Sequence, residues 1–160
     1  MIPFMEKFPE LAARETRSVT TNEHPDLPDG EYGFLELYCN EPGCDCRRVI
    51  IDVLRPETGW SKVWATIGYG WESPEYYGKW EGAGEPIELK GPYLDTLNPQ
   101  SEYSPALLDL FRMLIESPEY VDRLRRHYQT FKESIDREHN RSVARRKRVR
   151  DPRRRRRHVR

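Results

Sequence analysis

The sequence predicts an α+β fold in which a small antiparallel meander of three to four strands packs with two C-terminal helices, followed by a disordered basic tail. Three stretches rich in β-branched and aromatic residues, joined by short turns, predict the meander. Two Ser-Pro pairs, each followed by apolar residues at helical spacing, predict the helices. A run of arginines without apolar periodicity predicts the tail. We therefore expect a single domain over residues 1–139 and a disordered Arg-rich tail over residues 140–160.

The strands are indicated by alternating or continuous apolar residues. One or two short helical turns over residues 3–16 and an edge strand over residues 17–21 come first. The three meander strands are EYGFLELYC at residues 31–39, RRVIIDVL at residues 47–54 and SKVWATIGYGW at residues 61–71. Because their connections are short, successive strands should pair antiparallel.

The same sequence signal predicts the start of each C-terminal helix. Ser104-Pro105 and Ser117-Pro118 place a capping residue before a proline at the first helical position. The apolar stripes are Leu107, Leu110, Phe111, Leu114 and Ile115 in the first helix, and Tyr120, Leu124, His127 and Phe131 in the second. The second helix should run through EYVDRLRRHYQTFKESID, residues 119–136, and no apolar periodicity remains past Asn140.

Charge is distributed very unevenly along the chain. Residues 141–160 hold twelve Lys or Arg and one Asp, a net charge of +11, and residues 1–140 carry −11. Such asymmetry is typical of a basic interaction tail on an acidic body. The chain shows neither a secretory leader nor an apolar run of about 20 residues, the length that a membrane span needs. We therefore expect a cytoplasmic protein that does not enter membranes.

Three cysteines lie within eight residues, as Cys39-x4-Cys44-x-Cys46, at the tip of the first hairpin. Pro42 and Gly43 bend the loop, so that Cys39 should face the other two thiols. An odd, clustered number of cysteines argues against a disulfide framework and agrees with a reducing compartment. Thiolates are the preferred ligands of structural zinc, so the cluster predicts a zinc site. We expect the neighbouring Arg47 and Arg48 to lower the thiol pKa values.

Tetrahedral zinc needs a fourth ligand. His127 is the first candidate, because it lies on the apolar stripe of the last helix and would otherwise need another polar partner there. If His127 binds the metal, the metal fastens the last helix to the hairpin. His24, in the loop before the cysteine hairpin, is the alternative.

Other uses of Cys39, Cys44 and Cys46 stay open. They could form a reversible disulfide in a thiol-based redox switch, or hold a catalytic zinc, since a catalytic site needs only three protein ligands. They could also be ordinary buried residues. No nucleophile elbow, phosphate-binding loop or HExxH motif is present, so the sequence favours a non-enzymatic module.

The hairpin ELYCNEPGCDCRRVIIDV, with the later segments LNPQSEY and RLRRHYQTFK, resembles a family of uncharacterised bacterial proteins marked by Tyr-Cys-x4-Cys-Asp-Cys-Arg-Arg. The resemblance covers most of residues 29–132 and excludes the basic tail. It implies a bacterial cytoplasmic protein and carries no activity with it. His127 lies inside one of these segments, which favours it over His24.

The tail is a polycation that should bind nucleic acid or an acidic partner without sequence specificity. A solvated appendage, or one that folds back on the acidic body, is the alternative. The expected binding residues are Arg145, Arg146, Lys147, Arg148, Arg150, Arg153, Arg154, Arg155, Arg156 and Arg157.

Overall fold

The structure is a computed structural model of the chain. It describes residues 1–59, 62–78 and 89–150, with side chains through residue 146. These residues form a sheet covered by helices on one face. The strands are Ile2–Pro3 (β1), Arg17–Thr21 (β2), Gly30–Tyr38 (β3), Arg48–Leu54 (β4), Val63–Gly70 (β5) and Gly91–Leu94 (β6). The helices are Phe4–Lys7 (α1), Pro9–Glu15 (α2), Pro74–Gly78 (α3), Ser104–Leu114 (α4) and Pro118–Arg150 (α5).

The predicted antiparallel meander is confirmed. β3, β4, β5 and β6 pair in sequence order, and both β1 and β2 pair with the free edge of β3. The described sheet has six strands, more than the three to four expected. The additional strands are β1, which is only two residues long, and β6, whose Gly91-Pro92 start is typical of a loop.

The buried face of the sheet is set by the register of the central hairpin. Phe34 pairs with Val53 and Glu36 with Ile51, so these side chains share one face. That face packs against α4 and α5. Its core includes Tyr32, Phe34, Tyr38, Val49, Ile51, Val53, Leu107, Phe111, Leu124 and Phe131. Glu36 therefore lies among large apolar side chains, 7% exposed.

Both predicted C-terminal helices are confirmed. Ser117 caps α5, since its Oγ accepts a hydrogen bond from the backbone N–H of Tyr120 at 3.4 Å. Ser104 does not cap α4; it is the first helical residue, and its Oγ donates to the carbonyl of Trp64 at 3.1 Å.

Helix α5 is longer than predicted and passes residue 139, after which the sequence predicts a disordered tail. The helix continues to Arg150, and residues 137–142 and 144–146 are exposed. Arginine, alanine and lysine favour helix without any packing, which explains the extension. The rest of the predicted tail, residues 151–160, lies outside the described residues. Nowhere in the described part does a helix combine the length and apolar composition needed to cross a bilayer.

Candidate metal centre

The structure brings the three cysteines together. Cys39 follows the end of β3, and Cys44 and Cys46 lie in the connection to β4. Their Sγ atoms all lie within 4.8 Å of one another. The thiols are free, with Cys46 buried and the other two partly exposed. Three converging sulfurs can hold a metal ion, which is the arrangement that the spacing predicts.

The loop reaches this shape through two residues in left-handed backbone conformation. Gly43 has φ of 71° and a Cβ there would meet no atom within 4 Å, so the position selects glycine for its backbone alone. Arg47 has φ of 41°, an uncommon value for a residue with a side chain. Its guanidinium pairs with Asp45, Nε to Oδ1 at 2.9 Å, and with Glu72 at 3.2 Å. These pairs hold the turn that separates Cys46 from β4.

Helix α5 holds the loop from one side through residues spaced four apart. Lys132 Nζ donates to the carbonyl oxygens of Glu41 at 2.6 Å and Cys39 at 3.4 Å. Tyr128 Oη accepts a hydrogen bond from the Arg47 backbone N–H at 3.2 Å, and Asp136 Oδ1 accepts one from Gly43 at 2.9 Å. Residues four apart share one helix face.

Helix α3 holds the loop from another side. Tyr76 Oη donates to the carbonyl of Asp45 at 2.5 Å, and Tyr77 Oη donates to that of Arg47 at 2.7 Å. The Arg47 guanidinium also lies over the Tyr76 ring, 4.8 Å from its centroid. The cysteine loop is thus fixed by side chains of two helices. Sequence reasoning missed these residues, although the spacing of Tyr128, Lys132 and Asp136 was a signal.

The pKa values of Cys44 and Cys46 shift in the direction opposite to the one expected from the two arginines. Burial raises the pKa of Cys44, and its hydrogen bond with Cys39 raises it further. Burial, followed by the nearby Cys39 and Cys44, raises the pKa of Cys46 to about 12. Arg48 lowers the pKa of Cys46, but desolvation outweighs it. Without a metal, both thiols are therefore neutral at pH 7.

The expectation that His127 is the fourth ligand does not fit this geometry. Its Nδ1 lies 2.7 Å from Glu36 Oε2 and its Nε2 lies 3.0 Å from Glu15 Oε2. The ring is 1% exposed and stacks on Phe4, with centroids 4.3 Å apart. Both nitrogens thus have carboxylate partners, and His127 is not part of the cysteine group. The hydrogen-bond partner that this buried ring needs is Glu36.

His24 is also outside the cysteine group. It follows β2, whose last residue, Thr21, pairs with Gly30 at the start of β3. Cys39 lies past the other end of β3, and a strand rises about 3.3 Å per residue, so roughly 25 Å or more separates the two ends. The His24 Nδ1 instead accepts a hydrogen bond from the Asp26 backbone N–H at 3.1 Å.

A cavity of about 200 Å³ borders all three cysteines. Its other lining residues are Met1, Glu41, Arg48 and Leu89. Arg48 Nη1 donates to Tyr93 Oη at 3.4 Å, whereas its Nε is buried without a hydrogen-bond partner among the described residues. The candidate metal centre is therefore bordered by a cavity whose lining includes one basic residue, Arg48, and one acidic residue, Glu41.

The predicted nucleic-acid-binding residues fall into three groups. Arg145 and Arg146 are exposed near the end of α5. The last turn of the same helix contains Lys147, Arg148 and Arg150. Arg153, Arg154, Arg155, Arg156 and Arg157 lie outside the described residues.

The chain matches no family in a scan of protein families, and searches of curated proteins and of solved structures return no match either. The resemblance to uncharacterised bacterial proteins stays a prediction.

Proposed function

We propose that this protein is a non-enzymatic module stabilised by one zinc ion on Cys39, Cys44 and Cys46, with a basic C-terminal segment that binds nucleic acid. The observation that carries the proposal is the convergence of the three Sγ atoms within 4.8 Å. Thiolates at structural sites favour zinc, and an intracellular reducing compartment would keep them available.

A structural role for the metal is supported by the way the loop is held. The loop carries few apolar residues of its own, and polar contacts from α3 and α5 fix its backbone. A metal that joins the end of β3 to the connection before β4 would add a cross-link to these polar contacts. Because the unfolded chain has no preformed site, binding free energy becomes folding free energy.

The raised pKa values of Cys44 and Cys46 disfavour the redox alternative. A reactive cysteine needs thiolate character near neutral pH, and burial opposes it at both positions. A metal ion overcomes the same penalty, because its charge stabilises the thiolates.

The nucleic-acid part of the proposal is supported by charge. Residues 141–160 carry a net charge of +11, whereas the remainder carries −11 and would repel phosphate. The helical course of α5 through Arg150 carries the first basic residues away from that acidic body. Contacts of this kind read phosphate charge and carry no sequence specificity.

Elemental analysis of protein purified without a histidine tag tests the metal, alongside titration of its thiols. We expect one zinc per chain, with the three thiols unreactive until a chelator is added. Cys44→Ser should lose most of the zinc, and His24→Ala, the matched control, should keep it. Metal-free protein with three freely titrating thiols would contradict the proposal.

A further inference from the structure

A metal bound by three thiolates has a tetrahedral position left over. Among the described residues, no fourth His, Cys, Asp or Glu joins the group of donors around the cysteines. All three cysteines border the same cavity of about 200 Å³, so a metal held by them would border it as well. One water molecule needs about 10–15 Å³ on this measure of volume, so the cavity has room for a small ion or molecule.

Arg48 gives this cavity a chemical preference. Arg48 is the only basic residue among the described residues that line the cavity, and its Nη1 donates to Tyr93 Oη at a long 3.4 Å. A cationic side chain beside the cavity favours an anionic ligand that can accept hydrogen bonds from it. Guanidinium groups bind carboxylates through charge-assisted hydrogen bonds, which are stronger than neutral ones.

We propose that the metal centre takes a small carboxylate from solution as its fourth ligand, with one oxygen on the metal and the other paired with Arg48. This inference rests on the proposed metal site and goes beyond it. The carboxylate enters as an anion and displaces a water molecule from the fourth position, so the step is ligand exchange without any transfer of electrons. The metal centre would then bind a small anionic metabolite as well as stabilise the fold.

The internal competitor for the same position is Glu41. Glu41 also lines the cavity, and its backbone carbonyl accepts a hydrogen bond from Lys132 Nζ at 2.6 Å. If the Glu41 carboxylate bound the metal, the protein itself would close the position and small ligands would be excluded.

Full-length protein loaded with cobalt(II) in place of zinc separates these possibilities, because the visible bands of tetrahedral cobalt respond to its ligands. Thiolate-to-cobalt charge transfer reports the cysteines, and the d–d bands report the fourth position. The probes are acetate, which needs Arg48, and imidazole, a neutral donor that does not. The variants are Arg48→Met, Glu41→Gln and, as a control, the exposed Arg112→Met on α4.

We expect acetate to shift the d–d bands saturably in the wild-type protein and in Arg112→Met. Arg48→Met should bind acetate at least about tenfold more weakly, while its imidazole affinity stays within about twofold. Equal acetate binding in Arg48→Met would overturn the role of the arginine.

Charge transfer without any response to acetate or imidazole would overturn the inference and leave the metal site standing. A change of the d–d bands in Glu41→Gln would then identify the internal ligand. If no cobalt–thiolate charge transfer develops, the proposed metal function fails and the inference fails with it.

Discussion

The ammonium group of Lys132 on α5 lies 2.6 Å from the carbonyl oxygen of Glu41 in the cysteine loop. The same group donates to the carbonyl of Cys39 at 3.4 Å, and the side chain is only 8% exposed. A charged donor on the longest helix thus fixes the backbone that presents the thiols. The loop and the helix that leads to the basic segment are therefore mechanically joined.

Lys132→Met should destabilise the protein and weaken its hold on zinc. The substitution keeps most of the unbranched side chain but leaves two loop carbonyls without their donor, a loss of about 1–3 kcal/mol. Chemical denaturation and the rate of zinc transfer to a chelator measure the two effects. Lys90→Met, at an exposed position outside the loop, is the control. Unchanged zinc transfer would show that α5 does not support the centre.

His127→Ala should lower stability by about 3 kcal/mol without lowering zinc content. Its removal leaves Glu36, which is 7% exposed, as a buried carboxylate without its ring partner. Denaturation curves and zinc per chain should be compared with those of His139→Ala, an exposed position on the same helix. A loss of zinc at unchanged stability would restore His127 as a ligand.

Zinc affinity should rise with pH across the neutral range. Burial raises the pKa of Cys44 and, to about 12, that of Cys46, so their protons must leave when the metal binds. Each displaced proton makes binding up to about tenfold tighter per pH unit. Calorimetry in buffers of different ionisation enthalpy counts the protons released.

The metal-free protein should show the opposite trend at alkaline pH. The neutral form of Cys46 is favoured by the fold, so its stabilising contribution is complete below the ordinary thiol pKa of 9.0 and is lost as the pH rises towards about 12.

For the zinc-binding prediction, zinc binding without proton release at neutral pH would contradict the assignment of Cys44 and Cys46 as ligands.

Deleting residues 141–160 should leave the fold intact and abolish retention of nucleic acid. The deleted residues of α5 through residue 146 are mostly exposed and belong to no part of the core. Binding by the full chain should fall sharply between about 50 and 200 mM salt, because counterions are released. Melting temperature and fluorescence anisotropy with a labelled oligonucleotide measure both effects. A neutral tail of equal length is the control, and undiminished binding by the truncated chain would place the contact on the body.

The central hairpin and the cysteine loop could be predicted from the sequence, because their residue patterns are typical of only one kind of structure. Alternation around Phe34 and Val53 identified the central hairpin, and Pro42-Gly43 between the cysteines indicated a loop that brings the thiols together. The strand β6 was missed because Gly91-Pro92 has the composition of a turn, and pairing with β5 overrides that local preference.

His127 was assigned to the metal because the sequence gives its helix face but not its partner. Glu36 stands between Phe34 and Tyr38 in the buried alternation, and this position was the available signal for a carboxylate inside the core. The thiol pKa values were misjudged for a related reason. The neighbouring arginines are visible in the sequence, whereas the burial that outweighs them depends on packing against the helices.

X-ray absorption at the zinc edge of the purified full-length protein tests the central claim most directly, because it counts the sulfur atoms bound to the metal and measures their distances. We predict three sulfurs at about 2.3 Å and one lighter atom, with a sulfur lost in Cys44→Ser. A first shell made of nitrogen and oxygen alone would contradict the three-cysteine centre.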